Sequence, residues 1–137
     1  MKNKVIAYIE RGNDGTFGVY IDLDDKTLNY GISANGKTVE EAINDFNNSY
    51  TEMKNFHSKK GLDFIEAEFT FKQDVASFLQ YYSKIFTLAG LERLTGINQA
   101  QLSHYLNGVK KPRKETVEKI ETKIHELGKE LTTLEFT

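Results

Sequence analysis

Up to about residue 72 the hydrophobic positions mostly alternate, and from Asp74 onward they recur at three and four, so two kinds of architecture follow one another in the chain. In KVIAYIER, residues 4–11, β-branched and aromatic side chains predict a strand, and Gly12-Asn13-Asp14-Gly15 supplies the turn of a hairpin. In TFGVYIDL, Phe17, Val19, Ile21 and Leu23 alternate with Gly18, Tyr20 and Asp22, predicting a second strand with one apolar and one mixed face. A third, weaker strand is expected in LNYGIS, residues 28–33.

Thr38 followed by Glu41 has the spacing of a capping box, in which each side chain bonds a backbone N–H that the first helical turn leaves unpaired. Val39, Ala42, Ile43, Phe46, Tyr50 and Met53 then form one apolar stripe, suited to covering a sheet face. This helix should end before Gly61, beside Lys59 and Lys60. In DFIEAEFTFK, Ile65, Ala67, Phe69 and Phe71 alternate with polar residues, predicting one further strand. Residues 1–72 thus read β-β-β-α-β, a small α+β domain, and 73–137 read as an all-α domain. In the latter, Phe78, Leu79, Tyr82 and Ile85-Phe86 mark one helix, LAGLERL a second and Asn98 to Leu106 a third. Val117, Ile120, Ile124, Leu127 and Leu131 mark a long last helix.

Composition narrows the chemistry. Of 137 residues, 39% are hydrophobic and 28% charged, which is ordinary for folded soluble domains. The chain lacks cysteine, which excludes disulfides, thiolate metal sites and thiol nucleophiles. No apolar run suits a signal peptide or a membrane span, so a cytoplasmic location is expected.

The formal charge of -2 predicts no anionic partner, yet residues 98–114 hold four basic side chains and no acid. That concentration is the footprint of a phosphate contact surface. Thr95-Gly96-Ile97 joins two short helices as in a helix-turn-helix, with Asn98 placed to cap the second. Ile97, Leu102 and Leu106 can face inward, while Gln99, Gln101, Ser103 and His104 present hydrogen-bonding groups outward. An amide offers a donor and an acceptor together, matching adenine N6 and N7 in the major groove. Lys110, Lys111, Arg113 and Lys114, on a loop stiffened by Pro112, would hold the DNA backbone.

The segment LERLTGINQAQLSHYLNGVKKP resembles the helix-turn-helix of the Cro/phage-repressor-like group. The resemblance implies a recognition helix at 98–106 with base contacts from Gln99, Ala100 and His104. One departure is Glu92, where such domains favour a tightly packed alanine. The β-β-β-α-β unit with DGTFGVYIDL and a glycine before T-V-E-E-A, upstream of a helix-turn-helix, resembles the HicB antitoxins of toxin–antitoxin pairs. That resemblance implies a partial ribonuclease H-like fold without catalysis that sequesters a small, basic, mRNA-cleaving HicA-like toxin, while the second domain represses the operon. Family members often carry proline-aspartate where this chain has Ile21-Asp22.

Tyr20, Asp22, Asp24 and Asp25 are candidate toxin contacts, because acids suit a basic partner. Asp14, Asp22, Asp24, Asp25 and Glu41 could be read as a two-magnesium nuclease site, but turn and cap roles explain them better, and neither catalysis nor a cofactor is expected. His57 and His125 are expected to be exposed on helices. Association into a homodimer or higher homo-oligomer is expected, since helix-turn-helix proteins commonly bind two half-sites. The alternative is a plain repressor whose first domain senses a ligand or dimerises.

Overall fold

β1 (Asn3–Arg11) and β2 (Phe17–Ile21) form the expected antiparallel hairpin, with Arg11 opposite Phe17 and Ala7 opposite Ile21. Asp14 closes its turn by accepting from the Thr16 N–H at 3.0 Å and the Thr16 hydroxyl at 2.7 Å. The computed structural model describes residues 2–137 and divides into two units, Met1–Tyr81 and Tyr82–Thr137.

β2 stops at Ile21, earlier than the alternation through Leu23 predicts, and Leu23 is 88% exposed. At that point the Asp22 carboxylate accepts from the Asp24 N–H, and this local bond competes with continuation of the ladder. The third strand, β3 (Ser33–Gly36), lies later than residues 28–33. Ahead of it the Ile32 carbonyl accepts from the Ile21 N–H at 3.4 Å, and residues 28–31 are held by side chains: the Tyr30 hydroxyl donates to the Ile65 carbonyl at 2.7 Å and its ring stacks on Phe64 at 4.7 Å.

α1 (Val39–Lys59) begins at Thr38, whose hydroxyl accepts from the Glu41 N–H at 3.1 Å. The Glu41 carboxylate reaches back to the Lys37 N–H at 2.9 Å, one residue earlier than a strict capping box requires. Gly61, at φ 67°, follows the helix as expected. β4 (Ala67–Gln73) pairs with β1 in parallel, which the long α1 crossover permits, and the strand order is β3-β2-β1-β4.

The core of this unit lies between the sheet and α1. Val5, Ala7, Ile9, Phe17, Val19, Ile21 and Ala34 meet Val39, Ala42 and Phe46, and Phe46 packs edge-on to Phe69 at 4.9 Å. At Gly36 the sheet passes so close to α1 that a Cβ would lie 2.8 Å from the Glu41 Cβ and closer still to the Ala42 backbone nitrogen. His57 is a correction: it is buried, not exposed. Its Nδ1 lies 2.9 Å from the Met53 carbonyl, and its ring sits among Tyr30, Phe56 and Phe64.

The period changes at Asp74, but the units divide later. Asp74 accepts from the Arg11 N–H at 3.0 Å and the Ser77 N–H at 2.8 Å, fastening α2 (Val75–Tyr81) to the end of β1. The division expected between residues 72 and 73 therefore falls between Tyr81 and Tyr82. The helix expected to run to Phe86 also ends there, in a 3-10 turn over Tyr82–Lys84. The second unit holds α3 (Leu88–Thr95), α4 (Gln99–Leu106) and α5 (Lys114–Thr132) around Leu91, Thr95, Ile97, Leu102, Tyr105 and Ile120. Tyr105 takes the buried place expected of Leu106, which is half-buried. The whole is α+β followed by helices, and no described helix is long and apolar enough to cross a membrane.

Candidate nucleic-acid interface

α3 starts where the Thr87 hydroxyl accepts from the Gly90 N–H at 3.0 Å. It ends at Gly96, whose φ of 75° is the left-handed conformation that glycine adopts without steric cost. Buried Thr95 fixes the turn, its hydroxyl donating to the Leu91 carbonyl at 2.7 Å and accepting from the Ile97 N–H at 3.1 Å. Ile97 then enters the core and sets the start of α4.

Two carbonyl or carboxylate oxygens satisfy the first amides of α4. Asn98 accepts from the Ala100 N–H at 2.7 Å, so its expected capping role holds. Glu92 accepts from the Gln99 N–H at 2.6 Å. The residue that departs from the alanine of similar domains is thus a bridge between the two helices, and its negative charge complements the positive end of the α4 dipole.

With Leu102 and Tyr105 buried, the 100° step per residue turns Ala100, Ser103, His104 and Asn107 to the opposite face, flanked by Gln99 and Gln101. Gln99, Ala100 and His104 are exposed. Gln101 is half-buried and donates through Nε2 to the Tyr105 hydroxyl at 2.9 Å, which fixes its side chain and leaves fewer of its groups for a base. Ser103 accepts from the Asn107 Nδ2 at 3.3 Å, which brings Asn107 onto the presented face. Asn107 is not among the residues expected to contact DNA, although its spacing of four from Ser103 signals the same face.

α4 ends at Asn107, and Gly108 at φ 74° turns the chain while the Val109 N–H bonds the His104 carbonyl at 2.9 Å. Lys110, Lys111 and Arg113 lie on the connection that follows, and Lys114 opens α5; all four are exposed. None of them has a salt bridge among the described residues, where the ion pairs are Lys54 with Glu66 and Lys123 with Glu126. Four unpaired cations beside an exposed polar helix face can neutralise phosphates while the helix meets base edges.

In the first unit, Tyr20 stacks on Tyr8 at 5.6 Å and donates to the Glu10 carboxylate at 2.6 Å. That hydrogen bond, with desolvation and the nearby acids, pushes the Tyr20 phenol up to about 12. Asp22 and Asp24 are exposed just beyond it, and Asp25 accepts from the Thr27 N–H at 2.8 Å; hydrogen bonding from the Thr27 side chain, and then from its backbone, holds the Asp25 carboxyl below the usual range. Asp14, Asp22, Asp25 and Glu41 each accept backbone N–H groups of turns or caps. Among the described residues no group of three or more His, Asp or Glu side chains is placed to hold a metal ion.

No curated protein and no solved structure matches the chain significantly. Residues 80–125 match the family model described as helix-turn-helix, a span that takes in α3, α4, the basic connection and the greater part of α5. This segment is a DNA-binding helix-turn-helix of the Cro/C1 type.

Proposed function

We propose that the chain is a cytoplasmic autoregulatory antitoxin without catalytic activity. Its second unit represses the operon from which it is expressed, binding operator half-sites as a homo-oligomer, and its first unit sequesters a small basic mRNA-cleaving toxin of the HicA kind. The observation that carries the reading is the joining of a helix-turn-helix to a β-β-β-α-β unit that bears exposed acids beside Tyr20. Acids at a partner surface steer a basic protein into place and act mainly on its association rate. The reading is tested by recovering the nuclease-treated protein from its native extract. A small basic partner in near-equal amount supports it, and reversing the charge of Asp22, Asp24 and Asp25 then slows association at low salt. Self-association alone, without such a partner, overturns it.

An open groove of about 530 Å³ between the segment Gly31, Ile32, Ser33 and the α1 residues Ser49, Glu52, Met53 and Phe56 favours a second reading. In that reading the protein is a repressor whose first unit takes a small ligand with an apolar portion. Retention of such a molecule by the purified protein, with altered operator affinity, distinguishes this outcome.

A further inference from the structure

Among the described residues β4 stands at one edge of the sheet with β1 as its only strand neighbour. At the two ends of their ladder the Asn3 N–H bonds the Glu66 carbonyl at 3.2 Å and the Asp74 N–H bonds the Ile9 carbonyl at 3.1 Å. Backbone groups in a strand face one neighbour at every second residue, so Glu68, Thr70 and Lys72 turn theirs to β1 while Phe69 and Phe71 turn theirs outward. The Ala67 N–H, which also points outward, is met by the Tyr50 hydroxyl at 3.1 Å. No described group covers those of Phe69 and Phe71.

The two edges of the sheet are treated differently. β3 has four residues, and its Asn35 N–H donates to the Asp45 carboxylate at 3.1 Å. β4 has seven residues, no proline or glycine, and an unbroken one-to-one register with β1, so it lacks a bulge. A long edge without a bulge offers its unpaired backbone groups to another strand unless something blocks them.

The sequence along β4, Glu68-Phe69-Thr70-Phe71-Lys72, reads with opposite charge at its two ends. The geometry points to β4 as the surface through which two copies of this chain pair, antiparallel and centred on Thr70. In that register Phe69 and Phe71 of the second copy form hydrogen-bonded pairs through their outward backbone groups. Thr70 faces Thr70, and Glu68 faces Lys72, as non-hydrogen-bonded pairs in which side chains approach most closely. A shift by two residues in one direction sets Glu68 against Asp74 and Lys72 against Thr70, and in the other it sets Glu68 against Thr70 and Lys72 against Glu66, which Lys54 already holds. A shift by one turns the phenylalanines, which pack on Phe46, to the wrong face. Pairing in the proposed register builds one eight-stranded sheet with both copies of α1 on the same side. It is independent of what the second unit binds.

The full-length protein has no cysteine, so single cysteines report the register directly. In Thr70→Cys the two thiols sit on Cα atoms about 4.5 Å apart, within the span a disulfide closes, and mild oxidation at micromolar concentration should give a covalent dimer. Glu68→Cys alone should stay monomeric on a non-reducing gel, and Glu68→Cys with Lys72→Cys should cross-link. By sedimentation at low salt, Lys72→Glu should weaken self-association on the order of tenfold, and adding Glu68→Lys should restore it. Absence of the Thr70→Cys cross-link, or equal cross-linking by Glu68→Cys alone, overturns the proposal. So does a dimer that persists without that cross-link, which would place the contact elsewhere, for instance on Ile124, Leu127 and Leu131 of α5.

Discussion

Glu92 Oε1 accepts the backbone N–H of Gln99 at 2.6 Å, so a side chain of the first helix of the helix-turn-helix caps the second. A helix N-terminus leaves its first amides without intrahelical partners, and losing a cap costs about 1 kcal/mol. Glu92→Ala should therefore speed hydrogen exchange at the Gln99 amide by roughly fivefold, with a smaller effect at Asn98-capped Ala100. Glu92→Gln, which keeps an acceptor oxygen, should show less than half of that change. Equal exchange at Gln99 in wild type and Glu92→Ala would remove Glu92 from the capping role.

Gln99 and Lys111 separate base reading from phosphate contact. Gln99 is exposed at the start of α4, and Gln99→Ala should cost about 1–3 kcal/mol of operator binding and relax preference at one base pair. Lys111 lies on the connection after α4, and Lys111→Ala should weaken binding to all sequences alike and reduce the slope of log K against log salt by about 1. Gln101→Ala should change base preference less than Gln99→Ala, because Gln101 is held by Tyr105. Anisotropy titrations against operator and scrambled DNA at several salt concentrations measure all three.

Local signals carried most of the fold. Thr38, Gly61, Gly96 and Asn98 mark helix ends whose chemistry is written within three or four residues, and each serves as expected. Long-range relationships were not legible in this way. The parallel partner of β4, the Tyr30 anchor on Ile65 that displaces the third strand, and the cage around His57 join residues far apart in sequence. Asp74 binding Arg11 across 63 residues moved the unit boundary past α2 for the same reason. At the candidate interface, residue types singled out α4 and the basic connection after it. They could not tell that Gln101 is engaged by Tyr105 or that Glu92 crosses to Gln99, since both depend on how the helices meet.

Gly36 is tied to its position by contact. A Cβ there would lie 2.8 Å from the Glu41 Cβ and the Glu41 carbonyl carbon. Both belong to the first turn of α1, which cannot retreat without disturbing Val39 and Ala42 in the core. Gly36→Ala should destabilise the first unit by about 1–3 kcal/mol. Gly31→Ala, where a Cβ meets nothing within 4 Å, should fall within about 0.5 kcal/mol of wild type. Denaturant midpoints for the two variants test the contrast, and similar losses at both positions would contradict it.

Tyr20 links the exposed sheet face to alkaline stability. Its hydroxyl donates to Glu10, and ionising it would set a phenolate against that carboxylate, so the folded state holds the proton up to about 12. The unfolded phenol titrates near 10. A raised folded pKa means that the stabilisation is complete below pH 10, declines as the unfolded chain loses its proton, and is gone once the pH passes about 12. Urea unfolding between pH 9 and pH 11 should therefore show stability falling with pH, and Tyr20→Phe should make that fall shallower. Glu10→Gln removes the negative acceptor and should flatten it in the same way while leaving the ring stacked on Tyr8. Burial also raises Tyr30, so part of the slope will remain in both variants. A slope unchanged in Tyr20→Phe would mean that the Glu10 contact does not hold the phenol in solution, and would leave Tyr20 available to a partner without the loss of that bond.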